Sequence, residues 1–293
     1  MEDTTIGVLL VILSAILWGV GNTVARVGLQ SVKAISATIL TLATGLVVAL
    51  IIVLVFEFRA LVSVSLVAVG WFALIGVLHF ALGRLLFYQS MMYIGAARGT
   101  SITNVYPLFA LILAIVFLEE TATIPVVAGT LLVVGGVYLM LSESNETRII
   151  KKSRILGYSL GLATALCWGA ASVLIKYASQ FGPPFVILTF AQLFGILALL
   201  AATGKGFEIG FKTNRKAVNL LLLVGVLNGI GLASFYFALT MAPVVVVSPL
   251  AAASPLVTIL GVHLFLQRLE RITSQLLIAC FLVVAGGVLV ALY

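Results

Sequence analysis

The sequence predicts an all-α integral membrane protein whose ten transmembrane helices form two inverted five-helix repeats. Three observations carry the prediction. The 293-residue chain is 63% hydrophobic and 9% charged, with a mean hydropathy of +1.30, against about 45–50% apolar and about 25% charged in soluble domains. Its apolar residues come in runs of about 20, the length over which a helix rising about 1.5 Å per residue covers a hydrocarbon core of about 30 Å. The second half then repeats the pattern of the first.

Apolar runs bounded by charge and turn clusters place segments near residues 6–28, 34–56, 65–92, 98–118 and 124–141, then 155–178, 184–203, 217–241, 243–266 and 273–292. The leading residues carry Glu2 and Asp3 rather than Lys or Arg, and the run from Ile6 is too long for a signal-peptide core, so the first segment is expected to stay in the protein. Connectors are tightest at Gly95 to Arg98 and Met241 to Pro243. The longest polar stretch, SESNETRIIKKSR from Ser142 to Arg154, separates a first unit, 1–141, from a second, 155–293.

The two units match in order. SAILWGVGNTVAR (Ser14 to Arg26) corresponds to TALCWGAASVLIK (Thr164 to Lys176), so that Trp18, Gly19 and Arg26 fall on Trp168, Gly169 and Lys176, 150 residues on. FYQSMMY (Phe87 to Tyr93) faces FYFALTM (Phe235 to Met241), and Pro107 faces Pro255, now 148 residues apart. EETATIPVVAGTLLVVGG (Glu119 to Gly136) faces LERITSQLLIACFLVVAGG (Leu269 to Gly287), with Glu120 on Glu270. A drift of this size is what a small loop change leaves in an old duplication. Five crossings per unit is an odd number, so the second copy enters the membrane from the opposite side. Inverted repeats of this kind recur in secondary transporters, with substrate held near the midplane between the copies.

The WG first helix, the PLFALILAIVFLEE (Pro107 to Glu120) and PLVTILGVHLFLQRLE (Pro255 to Glu270) stretches, and a Gly-rich last helix, each present twice, resemble the paired EamA domains of the drug/metabolite transporter superfamily. The resemblance covers essentially the whole chain. It implies a ten-helix carrier in the cell membrane, often an exporter of amino acids or other small metabolites, with a central cavity lined by helices one, three, four, six, eight and nine. RLER, Arg268 to Arg271, is more basic than its first-half counterpart.

The net charge of +7 does not indicate nucleic acid, because Lys and Arg are scattered over connectors without interleaved aromatics. Connectors after odd-numbered helices carry Lys33, Arg98, Arg148, Lys151, Lys152, Arg154, Lys205, Lys212, Arg215, Lys216, Arg268 and Arg271, against Arg59 and Lys176 on the other side. The positive-inside rule then puts both termini outside. The resemblance implies the reverse, and the two leave orientation open. Cys167 and Cys280 lie in apolar segments without ligand-like neighbours and read as packing residues.

All nine acids, including Glu57, Glu120 and Glu270, fall at helix ends or in connectors. A carrier of lipophilic cations or a carboxylate proton relay would need one at depth. Arg84 does sit at depth. Such a residue faces a cavity or snorkels to the headgroups, and facing a cavity it would grip an anion or a carboxylate-bearing zwitterion through paired hydrogen bonds. His79, five residues earlier, lies about 140° round an α-helix from Arg84, whereas Tyr88 shares its face. His79 is the candidate for a coupling proton, with a helix-bridging hydrogen bond as the plainer reading.

Asn22, Asn104, Tyr106, Ser172, Asn228, Tyr236 and Ser254 complete the polar candidates for substrate binding, each set against a plain interhelical hydrogen bond worth about 0.6 kcal/mol. Trp18 and Trp168 either stack on substrate or pack beside Gly19 and Gly169. Pro107 and Pro255 are expected to kink their helices. Arg26 and Lys176 read as snorkelling at helix ends, and Glu120 and Glu270 as caps on the helix that follows each. The expected partners are a small-molecule substrate and lipid, in a monomer or a homodimer. No cofactor, metal ion or catalytic residue is expected: an intramembrane enzyme would need a nucleophile with its base, paired acids or metal ligands. A channel would need a continuous polar pore face, which the Leu, Val and Ala runs do not offer.

Overall fold

The computed structural model describes residues 2–106, 108–110, 112–113, 124–142, 148–203, 214–241, 251, 253–270 and 272–292. Within them the regular elements are all helical. In the first unit α1 is Glu2–Gly28, α2 Ala34–Phe56, α3 Leu66–Ile75, α4 Arg84–Thr103 and α5 Ile124–Ser142, with an unnumbered helical turn at Phe58–Leu61 between α2 and α3. In the second, α6 is Arg148–Ala178, α7 Pro184–Thr203, α8 Arg215–Met241, α9 Ser254–Phe265 and α10 Ser274–Leu292. Six stretches among the described residues are long and apolar enough to cross a membrane, including Thr5–Gly28, Ala34–Phe56 and Pro184–Thr203. Large apolar side chains point outward as well as inward: Leu9, Val55, Leu131 and Phe265 are 62%, 68%, 66% and 78% exposed. Water would penalise such a surface, whereas lipid does not.

Leu66–Thr103 is 38 residues of almost uninterrupted helix, about 57 Å at the α-helical rise and far beyond one crossing. Gly95 divides it. Its φ of 87° and ψ of 170° are the single positive-φ glycine conformation among the described residues, and they end one helix and begin the next within a residue. Only glycine takes this conformation without a Cβ clash. Upstream, Ser65 Oγ accepts from the Ala68 amide to start α3. Between α3 and α4, Gly76–Gly83 (GVLHFALG) is a π-helix, a form usually confined to a single turn and frequent at functional sites. The angle expected between His79 and Arg84 therefore does not hold, because it assumed α-helical winding through this segment.

The two units pack by exchanging equivalent contacts. The Trp18 indole lies against Gly231 and the Trp168 indole against Gly83. Gly19 receives Val257 and the Ser254 carbonyl, while Gly169 receives Phe109 and the Tyr106 carbonyl. Gly136 meets the Ala279 carbonyl and Gly286 the Gly129 carbonyl. Each pair maps onto its fellow by the sequence offsets of the repeat. Glycine recurs at these crossings because, with no hydrophobic drive between helices in lipid, close backbone approach supplies the dispersion energy of association. Pro255 does not kink a helix interior. It stands in the first turn of α9, after a turn at Ala253, where a missing amide hydrogen costs nothing. Pro107 lies outside the described residues.

Candidate functional site

Arg84 opens α4 where the π-helix ends, and it lines a cavity with Thr41, Gly45, Phe80, Gln192, Asn228 and Leu232. The walls come from both units: α2, the π-helix and Arg84 from the first, α7 and α8 from the second. The cavity holds about 10 Å³, the lower edge of what one water molecule needs. The Arg84 guanidinium carbon sits 6.0 Å from the centroid of the Tyr88 ring, within cation–π range. Tyr88 is fully buried, and its hydroxyl donates to Thr41 Oγ1 at 3.3 Å. Thr41 in turn donates to the Thr38 carbonyl at 3.1 Å, so its proton is committed. Arg84 forms no ion pair with a carboxylate among the described residues.

Two further amides face the cavity with donors to spare. Gln192 is 2% exposed and Asn228 6%. Neither Gln192 Nε2 nor Asn228 Nδ2 has a hydrogen-bond partner among the described residues. Gly45 makes room for the Gln192 head: a Cβ there would stand 2.9 Å from Gln192 Oε1. Sequence reading missed Gln192 because it has no glutamine counterpart in the first unit and stands in a helix not counted among the cavity-lining set. Its signal was an amide inside an otherwise apolar run, PFVILTFAQLFGILALL.

The remaining candidates fall elsewhere. Trp168 Nε1 donates to the His79 carbonyl at 3.2 Å, and the two rings stack at 5.8 Å and 24°. His79 Nδ1 is buried with no partner among the described residues. Trp18 packs on Phe235 at 5.7 Å. Ser172 Oγ donates to the Trp168 carbonyl four residues back at 2.8 Å, a helix-internal bond. Asn22 and Ser254 are buried, and Asn104 and Tyr106 half-buried. None of these lines the Arg84 cavity. The Tyr236 side chain lies outside the described residues.

At the end of the bundle carrying the Gly95 turn, Arg26 corrects the snorkelling expectation. Its Nε donates to Glu270 Oε1 at 2.8 Å, with the two side chains only 15% and 3% exposed. Glu270 does cap a helix, though not the one that follows it. Oε1 also accepts from the Ala96 amide at 2.6 Å, and Oε2 accepts from the Ala97 amide at 3.2 Å. The helix after Glu270, α10, is capped instead by Thr273, which accepts from the Leu276 amide. Glu120 lies outside the described residues, and Lys176 is exposed. At the other end, Glu57 Oε2 accepts from the Val186 amide at 3.0 Å, capping α7 from the end of α2. Desolvation holds the Glu57 carboxyl above the usual range, against the opposing pull of the Val186 and Phe185 amides.

Comparison with known proteins agrees with this architecture. No curated protein matches the chain in sequence. A protein of known crystal structure superposes on it with a TM-score of 0.61 at 18% identity, over 100% of this chain and 98% of its own, which is a likeness of fold. The model of the EamA-like transporter family matches twice, at residues 5–142 and 155–292, on either side of the polar connector. The chain belongs to the EamA-like transporter family, within the drug/metabolite transporter superfamily, with one family unit in each half.

Proposed function

We propose that this protein is a secondary transporter, working as an exporter, of a small polar metabolite such as an amino acid or organic anion. It has ten transmembrane helices in two inverted repeats, resides in the cell membrane, and works by alternating access around a cavity between the repeats. The observation that carries the reading is the position of Arg84 in a cavity walled by both units. A guanidinium lining a cavity between the two halves can meet a ligand there and transmit its binding to their relative position. Asn228 and Tyr88 belong to the same neighbourhood; His79 and Trp168 form the layer behind it, with His79 the group to carry a coupling proton. Asn22, Asn104, Tyr106, Ser172, Tyr236, Ser254 and Trp18 are kept as substrate contacts in conformations wider than this one, in which the cavity holds about 10 Å³. A carrier exposes such a site to one side at a time and releases the solute because both facing states bind it.

Purified protein in liposomes tests the reading. A carrier shows saturable uptake that is stimulated by solute trapped inside, over a panel of amino acids and organic acids. Unsaturable flux indifferent to trapped solute identifies a channel, and turnover of lipid without flux identifies an enzyme; either overturns the proposal. An imposed pH gradient that changes the rate in wild type, and leaves His79→Ala indifferent, assigns the coupling proton.

A further inference from the structure

We propose that Arg84, Gln192 and Asn228 form a binding subsite for a single carboxylate group, contributed by both repeats, and that Gln192 is one of its ligands. The inference rests on the transporter reading for its purpose and on the cavity's own chemistry for its content. The guanidinium is donor-only, with its N–H groups in a planar fork that matches two carboxylate oxygens. The Gln192 and Asn228 side-chain nitrogens are donors buried to more than nine-tenths with no partner among the described residues. Buried donors are normally satisfied, so two orphans beside one cation mark a place prepared for an acceptor.

Gln192 Oε1 lies towards the Gly45 side and Asn228 Oδ1 towards Gly21, while the Thr41 hydroxyl receives the Tyr88 proton. With neither side-chain nitrogen engaged, both are available to an acceptor in the cavity. The site carries one positive charge from Arg84 and no described carboxylate to offset it. A monoanion neutralises it, whereas a phosphate dianion would leave a net negative charge desolvated between the repeats. A carboxylate offers two oxygens with about four lone-pair directions, enough for a forked guanidinium and one hydrogen from each amide. At about 10 Å³ the cavity is too small for a carboxylate as it stands, so the group would enter in a conformation wider than this one.

The arrangement also distributes its ligands across the seam. Arg84 belongs to the first unit, Gln192 and Asn228 to the second, and the repeat places leucine, Leu232, opposite Arg84. A bound carboxylate would therefore bridge the units, drawing α4 of one towards α7 and α8 of the other.

The test uses the full chain in detergent micelles, with thermal unfolding measured over a concentration series of matched probes: acetate and acetamide, butyrate and butyramide, leucine and leucinamide, then chloride and phosphate. At least one carboxylate is expected to raise the wild-type midpoint where its amide does not. Arg84→Gln and Gln192→Leu are each expected to weaken that carboxylate about tenfold or more. If Gln192→Leu fails to give monodisperse protein, the near-isosteric Gln192→Glu decides, because its carboxylate occupies Arg84 and must displace the added one. The proposal is overturned if no carboxylate outperforms its amide on wild type, or if chloride or phosphate alone binds. It is equally overturned if affinity in the Gln192 variants equals that of wild type. Counterflow separates this from the transporter reading. Carboxylate binding without saturable exchange sinks transport and leaves the subsite, whereas saturable exchange of an uncharged solute that neither substitution alters sinks the subsite and leaves transport.

Discussion

The Arg26 guanidinium and the Glu270 carboxylate lie 2.8 Å apart across 244 residues of sequence, and the same carboxylate accepts the amides of Ala96 and Ala97. Three parts of the chain, the end of α1, the Gly95 turn and the segment before α10, thereby close on one carboxylate. The burial is what makes the pair consequential, since an exposed ion pair contributes little. Removing one partner of a buried pair costs about 3–5 kcal/mol by leaving the other uncompensated. Glu270→Ala strands a guanidinium and two amides, whereas Arg26→Gln leaves Glu270 its two amides and Arg26 is the more exposed partner. The expected order of melting midpoints in detergent is wild type, then Arg26→Gln, then Glu270→Ala. The charge-reversed double variant Arg26→Glu with Glu270→Arg should not recover, because an arginine at 270 sets donors against donors at Ala96 and Ala97. Recovery to within the error of wild type would mean that the ion pair alone, and not the helix cap, holds this corner.

Gly95 carries a second requirement at the same corner. Its φ of 87° is costly for any residue with a Cβ, and the Glu270 carboxylate fills the place that a Cβ would take. Extended backbone at positive φ, a region essentially confined to glycine, costs about 1–3 kcal/mol for an L-residue, to which displacement of the carboxylate adds. Gly95→Ala is therefore expected to lower the midpoint at least as far as Arg26→Gln. Combined with Glu270→Ala it should cost less than the sum of the two, since the carboxylate that it crowds is gone. Additive losses would show that the clash is relieved elsewhere.

Much of this was legible in sequence, and the exceptions share a cause. Apolar run length gave the helices, and the Trp-Gly pairs gave the repeat, because both are local signals set by lipid thickness and close packing. Gly95 could be placed in a connector for the same reason. Arg26 could not be paired with Glu270 from periodicity, because a contact across 244 residues is made by topology, and a cation near a helix end reads as snorkelling when its partner is unseen. The π-helix around His79 escaped because a single residue's change of winding leaves no mark in an apolar run. Gln192 escaped because the cavity-lining helices were taken from the family resemblance, which leaves out helices two and seven, and both wall this cavity.

Trp168 and Trp18 occupy equivalent slots against Gly83 and Gly231, yet Trp168 has the further bond to the His79 carbonyl, 3.2 Å away on the π-helix. Trp168→Phe keeps a ring in the slot and loses that bond, at a cost of about 1 kcal/mol. Trp168→Ala empties the slot and removes one ring contact from each of His79 and Phe87, at about 3–5 kcal/mol for an aromatic truncation. The midpoints should therefore separate widely, with Phe close to wild type. If Phe falls as far as Ala, the hydrogen bond, rather than the packing, holds the π-helix.

Glu57 gives the protein a pH dependence of predictable sign. Desolvation raises its folded-state pKa above the ordinary 4.5, more than the Val186 and Phe185 amides lower it. The folded protein then holds this proton more tightly than the unfolded chain, so the contribution to stability is full below the unfolded pKa and is lost as pH rises through the folded one. Glu57→Gln keeps an oxygen to accept from Val186 and removes the titration. The midpoint of wild type minus that of Glu57→Gln, followed from pH 4.5 to about pH 8, should fall as pH rises and level off once Glu57 is ionised. Glu57 is only half-buried, so solvent screening keeps the change small. A difference that rises with pH would mean that the amides at the start of α7 outweigh desolvation, and that the ionised carboxylate is the better cap.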